Sequence, residues 1–166
     1  IIPATGPLIA AGAEGGNGVA VDAFCRTSLP DVHAIGDCAA FANDFAGGIV
    51  MRVESVQNAN DMGIVAAQNI MSANVEYKPV PWFWSDQFEL KLQIAGLNMG
   101  YDHVITRPGA REGAKSHFYF RAEQFLAADC LNDGGTYMIA RRILEGGKTL
   151  TRAMVEDHSF ALKSLL

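Results

Sequence analysis

From Glu54 to Met71 the apolar residues Val56, Ala59, Met62, Ala66 and Ile70 recur every three or four positions. That period predicts an amphipathic helix, and Ser55 is a good N-cap for it. The segment SANVEYKPVPW at 72–82 then loses all periodicity and carries two prolines, which marks a boundary. Beyond it the period becomes two: Leu90, Leu92 and Ile94 alternate with Lys91 and Gln93, and strand-like runs follow at 104–107, 116–121 and 124–131. Short connections between successive strands predict an antiparallel sheet. A second helix is predicted over Thr136 to Glu145, with Tyr137, Ala140 and Ile143 on one face and Gly146 and Gly147 as its stop. A last helical stretch begins near Leu150.

The first half is less regular. Residues 1–18, rich in Gly, Ala and Pro, read as a connector with little structure, followed by a short strand at Val19 to Val21 and a loop over Asp22 to Thr27. A strand is predicted at Val32 to Asp37, then a loop, AAFANDFAGGIVM, hinged at Gly47 and Gly48. Two segments result: 1–79, a piece of an α/β domain, and 80–166, an α+β module.

Composition narrows the class. The chain of 166 residues is 49% hydrophobic and 19% charged, as globular proteins are, and no apolar run approaches the ~20 residues that span a bilayer. Its net charge is −5 and no stripe of Lys and Arg is interleaved with aromatics, so neither nucleic acid nor a membrane is an expected partner. Eight acids stand against Arg26, Arg52 and Lys78 up to Val80, whereas acids and bases balance from Pro81 onward. The second half therefore holds most of the basic side chains, among them Arg107, Arg111, Lys115, Arg121, Arg141 and Arg142. A solvated face explains them, and so does a docking surface for an acidic electron-transfer protein. Cys25, Cys38 and Cys130 fit neither a zinc site nor a dithiol and read as buried thiols of a reducing, cytoplasmic compartment. His33, His103, His117 and His158 lack metal spacing, and His117 reads as a surface or edge residue.

The candidate chemistry lies in TSLPDVHAIGD, Thr27 to Asp37. It reads as a buried strand whose C-terminal end presents one carboxylate; Gly36 would let a ligand approach, and Asp37 would accept hydrogen bonds from vicinal hydroxyls. Asp37 could equally be a turn residue. The chain has no GxGxxG: Gly12, Gly15, Gly16 and Gly18 precede a strand and do not open a helix, which argues against a phosphate cradle. Trp82 and Trp84 share one face of a strand in PWFWSD, and a core filled by Phe83 from the other side cannot account for both.

TSLPDVHAIGDCA resembles the second flavin-binding signature of the FAD-dependent pyridine-nucleotide oxidoreductases. MRVESVQNANDMG at 51–63 and PWFWSDQFELKLQIAGL at 81–97 resemble, more narrowly, the NAD(P)H:ferredoxin reductases that serve cytochromes P450 and aromatic-ring dioxygenases. The resemblance implies an α+β C-terminal reductase domain (antiparallel sheet plus helices) at 80–166, preceded by a fragment of an α/β FAD-binding domain at 1–79. It implies FAD as cofactor, NADH or NADPH as donor and a [2Fe–2S] ferredoxin as acceptor. It assigns Asp37 to the ribityl chain, Glu54, Ser55 and the backbone of Val56 to the isoalloxazine end, and Trp84 to the side that the iron–sulfur protein approaches. The two Gly-rich fingerprints of the family lie upstream of the matched region, and the chain starts at Ile1 without Met, so the expectation is the C-terminal part of a longer reductase. The loop at Phe41 to Val50 looks individual to this chain. Rubredoxin and monodehydroascorbate reductases share the architecture, with an apoptosis-inducing-factor type flavoprotein more distant. A non-catalytic interaction and dimerisation module, acting as a homodimer, is the alternative outside enzymes.

Overall fold

The computed structural model describes residues 2–166, and these fall into two units, one ending at Pro79 and one beginning at Val80, each with its own apolar core. In the first, the expected connector contains a helical turn, α1 (Gly6–Ala10), because Pro7 sits in the opening turn, where its missing N–H costs nothing. Strands β1 (Gly15–Gly16), β2 (Gly18–Ala20), β3 (Ala39–Asn43) and β4 (Ile49–Met51) form one sheet in that order, with β2 and β3 parallel and the other pairs antiparallel. The segment expected as a loop after Asp37 is thus a hairpin. Its run of alanines has little intrinsic strand preference, and pairing with β2 and β4 overrides that. Helix α2 (Val56–Ile70) buries Asn58, Met62 and Ala66; Val56 and Ile70, counted as apolar positions of its face, are exposed.

The predicted strand at Val32 to Asp37 does not form. A strand needs a neighbour, and among the described residues this stretch has only one bridge, Arg26 to His33. Gly36 to Cys38 make a 3-10 turn instead, with Asp37 exposed at its centre.

In the second unit β5 (Trp82–Gln87), β6 (Leu90–Gly96), β7 (His103–Pro108), β8 (Lys115–Arg121) and β9 (Gln124–Leu131) form an antiparallel sheet in the order β5-β6-β9-β8-β7. Helix α3 (Gly134–Glu145) is capped by Asp133, whose Oδ1 accepts the Thr136 N–H at 3.3 Å. It buries Tyr137, Ala140 and Ile143, the three residues expected, in a core with Phe118, Phe120 and Cys130. Helix α4 (Arg152–Glu156) follows, capped by Thr151. The final segment is held by its backbone: Arg107 donates to the carbonyls of His158 and Phe160 at 3.1 Å, and Lys148 Nζ to the main-chain oxygens of Leu165 and Leu166 at 2.7 and 2.8 Å. His117 is not at an edge, since β8 lies between β7 and β9; its Nδ1 lies 2.8 Å from Thr106 Oγ1. No helix among the described residues is long and apolar enough to cross a membrane.

Candidate functional site

In the first unit a turn is docked on a helix. Gly36 takes a left-handed conformation (φ 68°) and packs against α2 so closely that a Cβ there would lie 3.1 Å from Cβ of Ala59. The glycine thus admits the helix on that side, where the sequence suggested a ligand. Its N–H points at the sulfur of Met62, 3.4 Å away, and the amide of Asn58 donates to the same sulfur at 3.4 Å. Tyr77 Oη donates to Asn58 Oδ1 at 2.8 Å, and burial pushes that phenol well above its ordinary range. These buried polar contacts fix the turn relative to the helix.

Asp37 is the exposed residue of that turn. Its carboxylate makes no hydrogen bond or ion pair among the described residues, while its own carbonyl accepts from Arg52 Nη1 at 2.7 Å. Arg52 is a bracket: the side chain is 8% exposed, Nε donates to Asn17 Oδ1 at 3.2 Å and Nη1 pairs with Glu54 Oε1 at 2.6 Å. Its stem fills the space over Gly18, where a Cβ would lie 2.6 Å from Cδ. Ser55 is buried and caps α2, accepting the Asn58 N–H at 3.0 Å. Val56 opens the helix 61% exposed, and the N–H groups of Val56 and Gln57 have no acceptor among the described residues.

The arrangement offers one unpaired acceptor and, at the positive end of a 15-residue helix, two unpaired donors. That set fits the hydroxyls of a ribityl chain and the acceptor edge of an isoalloxazine ring. It does not supply a phosphate cradle, because the glycines at 15, 16 and 18 build the β1–β2 hairpin.

Trp84 lies in the second unit and is described there by itself. It and Trp82 share one face of β5, and Phe83, expected to fill a core from the other face, is 41% exposed. Trp84 is 39% exposed. Of the basic residues, Arg107 is committed to the C-terminal backbone, and Arg141 pairs with Glu145 at 2.7 Å and covers the Trp82 ring. Arg111, Lys115 and Arg142 are exposed. Cys25 and Cys130 are buried as expected; Cys38 is only partly so. No cluster of three metal-ligating side chains occurs among the described residues.

Residues 82–166 match the family described as Reductase C-terminal, and residues 2–63 that described as Pyridine nucleotide-disulphide oxidoreductase. Over 165 residues the chain is 47% identical to the 5,5'-dehydrodivanillate O-demethylase ferredoxin reductase subunit of Sphingobium sp. (strain NBRC 103272 / SYK-6), covering 99% of this chain and 40% of that protein. The chain belongs to the family described as Reductase C-terminal. Solved ferredoxin reductases share its fold. A ferredoxin reductase from Rhodopseudomonas palustris superposes with a TM-score of 0.91 at 39% identity, over 98% of this chain and 40% of the other. The reductase in the covalent putidaredoxin reductase–putidaredoxin complex gives 0.89 at 32% identity, over 99% and 39%. The chain thus spans about two fifths of the length of these relatives.

Sequence reasoning missed Arg52, Asn58, Met62 and Tyr77 as the groups that set the turn. Arg52 carried a signal: it is the one base between Arg26 and Lys78, it interrupts an apolar run, and Glu54 stands two residues on. Asn58 and Tyr77 carried none, since their pairing joins residues on either side of the helix C-terminus.

Proposed function

We propose that the chain is the C-terminal part of a flavoprotein reductase that passes electrons from NADH or NADPH through FAD to a [2Fe–2S] ferredoxin. The carrying observation is the unpaired Asp37 carboxylate beside the unpaired N–H groups that open α2, in a unit locked by Gly36, Ala59 and Met62. Family membership and the likeness to the reductase of the putidaredoxin complex support the same reading.

When bound, FAD accepts a hydride and releases electrons singly, chemistry that no side chain here provides. The residues bind and orient. Asp37 accepts hydrogen bonds from the ribityl hydroxyls, which fixes the polyol. The N–H groups of Val56 and Gln57, and the partial positive charge at the start of α2, favour extra electron density at the ring edge. Ser55 holds that first turn in register, and Glu54, tied to Arg52, lines the same end. Trp84, on the second unit, would take the flavin-side role that the family resemblance assigns to it, and the exposed bases of the second unit suit an acidic partner. The free thiols of Cys25, Cys38 and Cys130 support a reducing, cytoplasmic location.

The reading includes self-association through the second unit, favoured by its separate core and its exposed apolar residues. For electron transfer the test is the full-length protein, which should be yellow and should reduce a [2Fe–2S] ferredoxin with NADH or NADPH, whereas this chain alone elutes without flavin because it has no phosphate cradle. A full-length protein that retains FAD and oxidises NAD(P)H but never reduces a ferredoxin would end that reading.

A further inference from the structure

Strand β3 leaves the Asp37 turn and ends beside a cavity that the flavin reading does not use. Alternation along the strand puts Phe41 and Asn43 on one side of the sheet. Tyr77 stands on that side, edge-on to the Phe41 ring with centroids 5.4 Å apart, and its hydroxyl is committed inward to Asn58. Together with the half-buried Phe45, these two rings wall a space of about 250 Å³ within the first unit. The five residues of β3, roughly 16 Å of extended chain, separate it from the Asp37 turn.

One polar group on this wall has nothing to bind. Asn43 lines the cavity and is 4% exposed. Its Oδ1 accepts the Phe45 N–H at 2.9 Å, but its Nδ2 donates to no acceptor among the described residues. A buried amide left without a partner is unfavourable, and native structures keep few of them without a reason. Charge around the opening has a sign. Asp22 and Asp44 line it against a single ammonium, Lys78, which is already paired with Glu76. Asp22 is held by Arg26, so Asp44 is the carboxylate left facing solvent.

We propose that this cavity binds a single neutral aromatic ring carrying an acceptor oxygen, the class of aryl ketones, aldehydes and ethers. Its volume lies below the range of pockets that take drug-sized ligands and suits one ring with a short substituent. Three aromatic walls favour a ring over an aliphatic chain, through edge-to-face and offset contacts. The free N–H groups of Asn43 select an acceptor oxygen and turn their positive end against a cation. The excess of carboxylates turns away an anion. The inference does not depend on the electron-transfer reading, since no residue of the candidate flavin site lines this cavity.

Heteronuclear NMR on the isotope-labelled whole chain tests it, with acetophenone as the probe at up to about 10 mM. Saturable shifts are expected at the Asn43 side-chain amide and at the backbone amides of Ala23, Phe45 and Lys78, with half-saturation on the order of 1 mM. Ethylbenzene, which lacks the oxygen, and benzoate, which is an anion, should each bind at least about tenfold more weakly. Asn43→Asp keeps an acceptor for the Phe45 N–H and removes the donor, so it should weaken acetophenone by about tenfold or more. Ala23→Phe, at an exposed position of the lining, should fill the space and abolish the shifts. If the spectrum of Asn43→Asp shows that it does not fold, Ala23→Phe and the ethylbenzene comparison carry the test. No saturable shift at these residues overturns the site. Ethylbenzene, benzoate or tetramethylammonium binding there as tightly as acetophenone overturns the ligand class.

Discussion

Trp82 and Trp84 lie side by side, their ring centroids 5.5 Å apart and planes tilted by 33°, yet only Trp82 is anchored from above. Tyr137 of α3 sits 6.3 Å from it, and the Arg141 guanidinium lies 4.9 Å from its ring centre. Trp82→Ala should therefore cost about 2–3 kcal/mol in a urea titration, and Trp84→Ala about 1 kcal/mol. In the full-length reductase Trp84→Ala should slow reduction of the ferredoxin while NAD(P)H still reduces the flavin at close to the normal rate. Equal losses in both half-reactions, with a large fall in melting temperature, would make Trp84 a core residue.

Asp37 and Arg52 should part company in the same way. The Asp37 carboxylate bonds to nothing among the described residues, so Asp37→Ala should leave the stability of the chain within about 0.5 kcal/mol. In the full-length protein it should lower flavin occupancy, and added FAD should restore activity. Arg52→Ala removes a buried side chain that joins Asn17, Asp37 and Glu54, and should cost about 2 kcal/mol. Thermal melts of the two variants decide it; a stability loss at Asp37 equal to that at Arg52 would make it a structural turn residue.

The three cysteines should separate by reactivity. Burial pushes the Cys25 thiol up to about 11 and Cys130 up to about 12, so at pH 8 neither offers thiolate to a reagent. Cys38, partly exposed beside Asp37, should be the single thiol titrated by a disulfide reagent in the native protein. Three should titrate in denaturant. Fast modification of two or more native thiols would contradict the packing around Cys25 or Cys130.

Alkaline pH should loosen the fold. For Cys25 and Cys130 the ordinary value is 9.0 and for Tyr119 it is 10.0; burial raises all three, Tyr119 to about 12 with help from its bond to Asp129. A raised value means that the folded state favours the protonated form. That contribution is whole below about pH 9 and is lost as the pH climbs through 11 and 12, because the unfolded chain ionises first. The denaturation midpoint should fall between pH 8 and pH 10.5, and by less in Cys130→Ala. A midpoint flat over that interval would refute the assignment.

Much of this architecture was legible in the sequence because local pattern and tertiary demand agreed. The alternation at Leu90 to Ile94, the helix face of Tyr137, Ala140 and Ile143, and the Ser55 cap all reappear in the structure. The failures fall where pairing decides the outcome. Val32 to Asp37 looks like a strand, yet it finds no ladder partner among the described residues; Ala39 to Asn43 has a weak strand signal and is held in one by two neighbours. Alternation also says nothing about which face meets the helices: on β6 Gln93 and the buried Ala95 lie on the side of α3, while Leu90 and Leu92 stay outside the core. At the candidate site the exposed residues Asp37 and Val56 stand in segments with a readable sequence pattern, while the buried groups that hold those segments do not. A carboxylate at the end of a motif is readable one residue at a time; a methionine sulfur shared by a glycine N–H and an asparagine amide is not.

The grip of Arg107 and Lys148 on the final segment has a consequence for how that segment can change. Both cations read main-chain oxygens, at His158 and Phe160 and at Leu165 and Leu166, and a main-chain oxygen is the same whatever side chain hangs beside it. Outside the few apolar positions that enter the core, among them Phe160 and Leu162, the letters of this stretch can be rewritten without releasing it. The two clasping residues cannot be exchanged so freely, because the whole stretch is spelled to them.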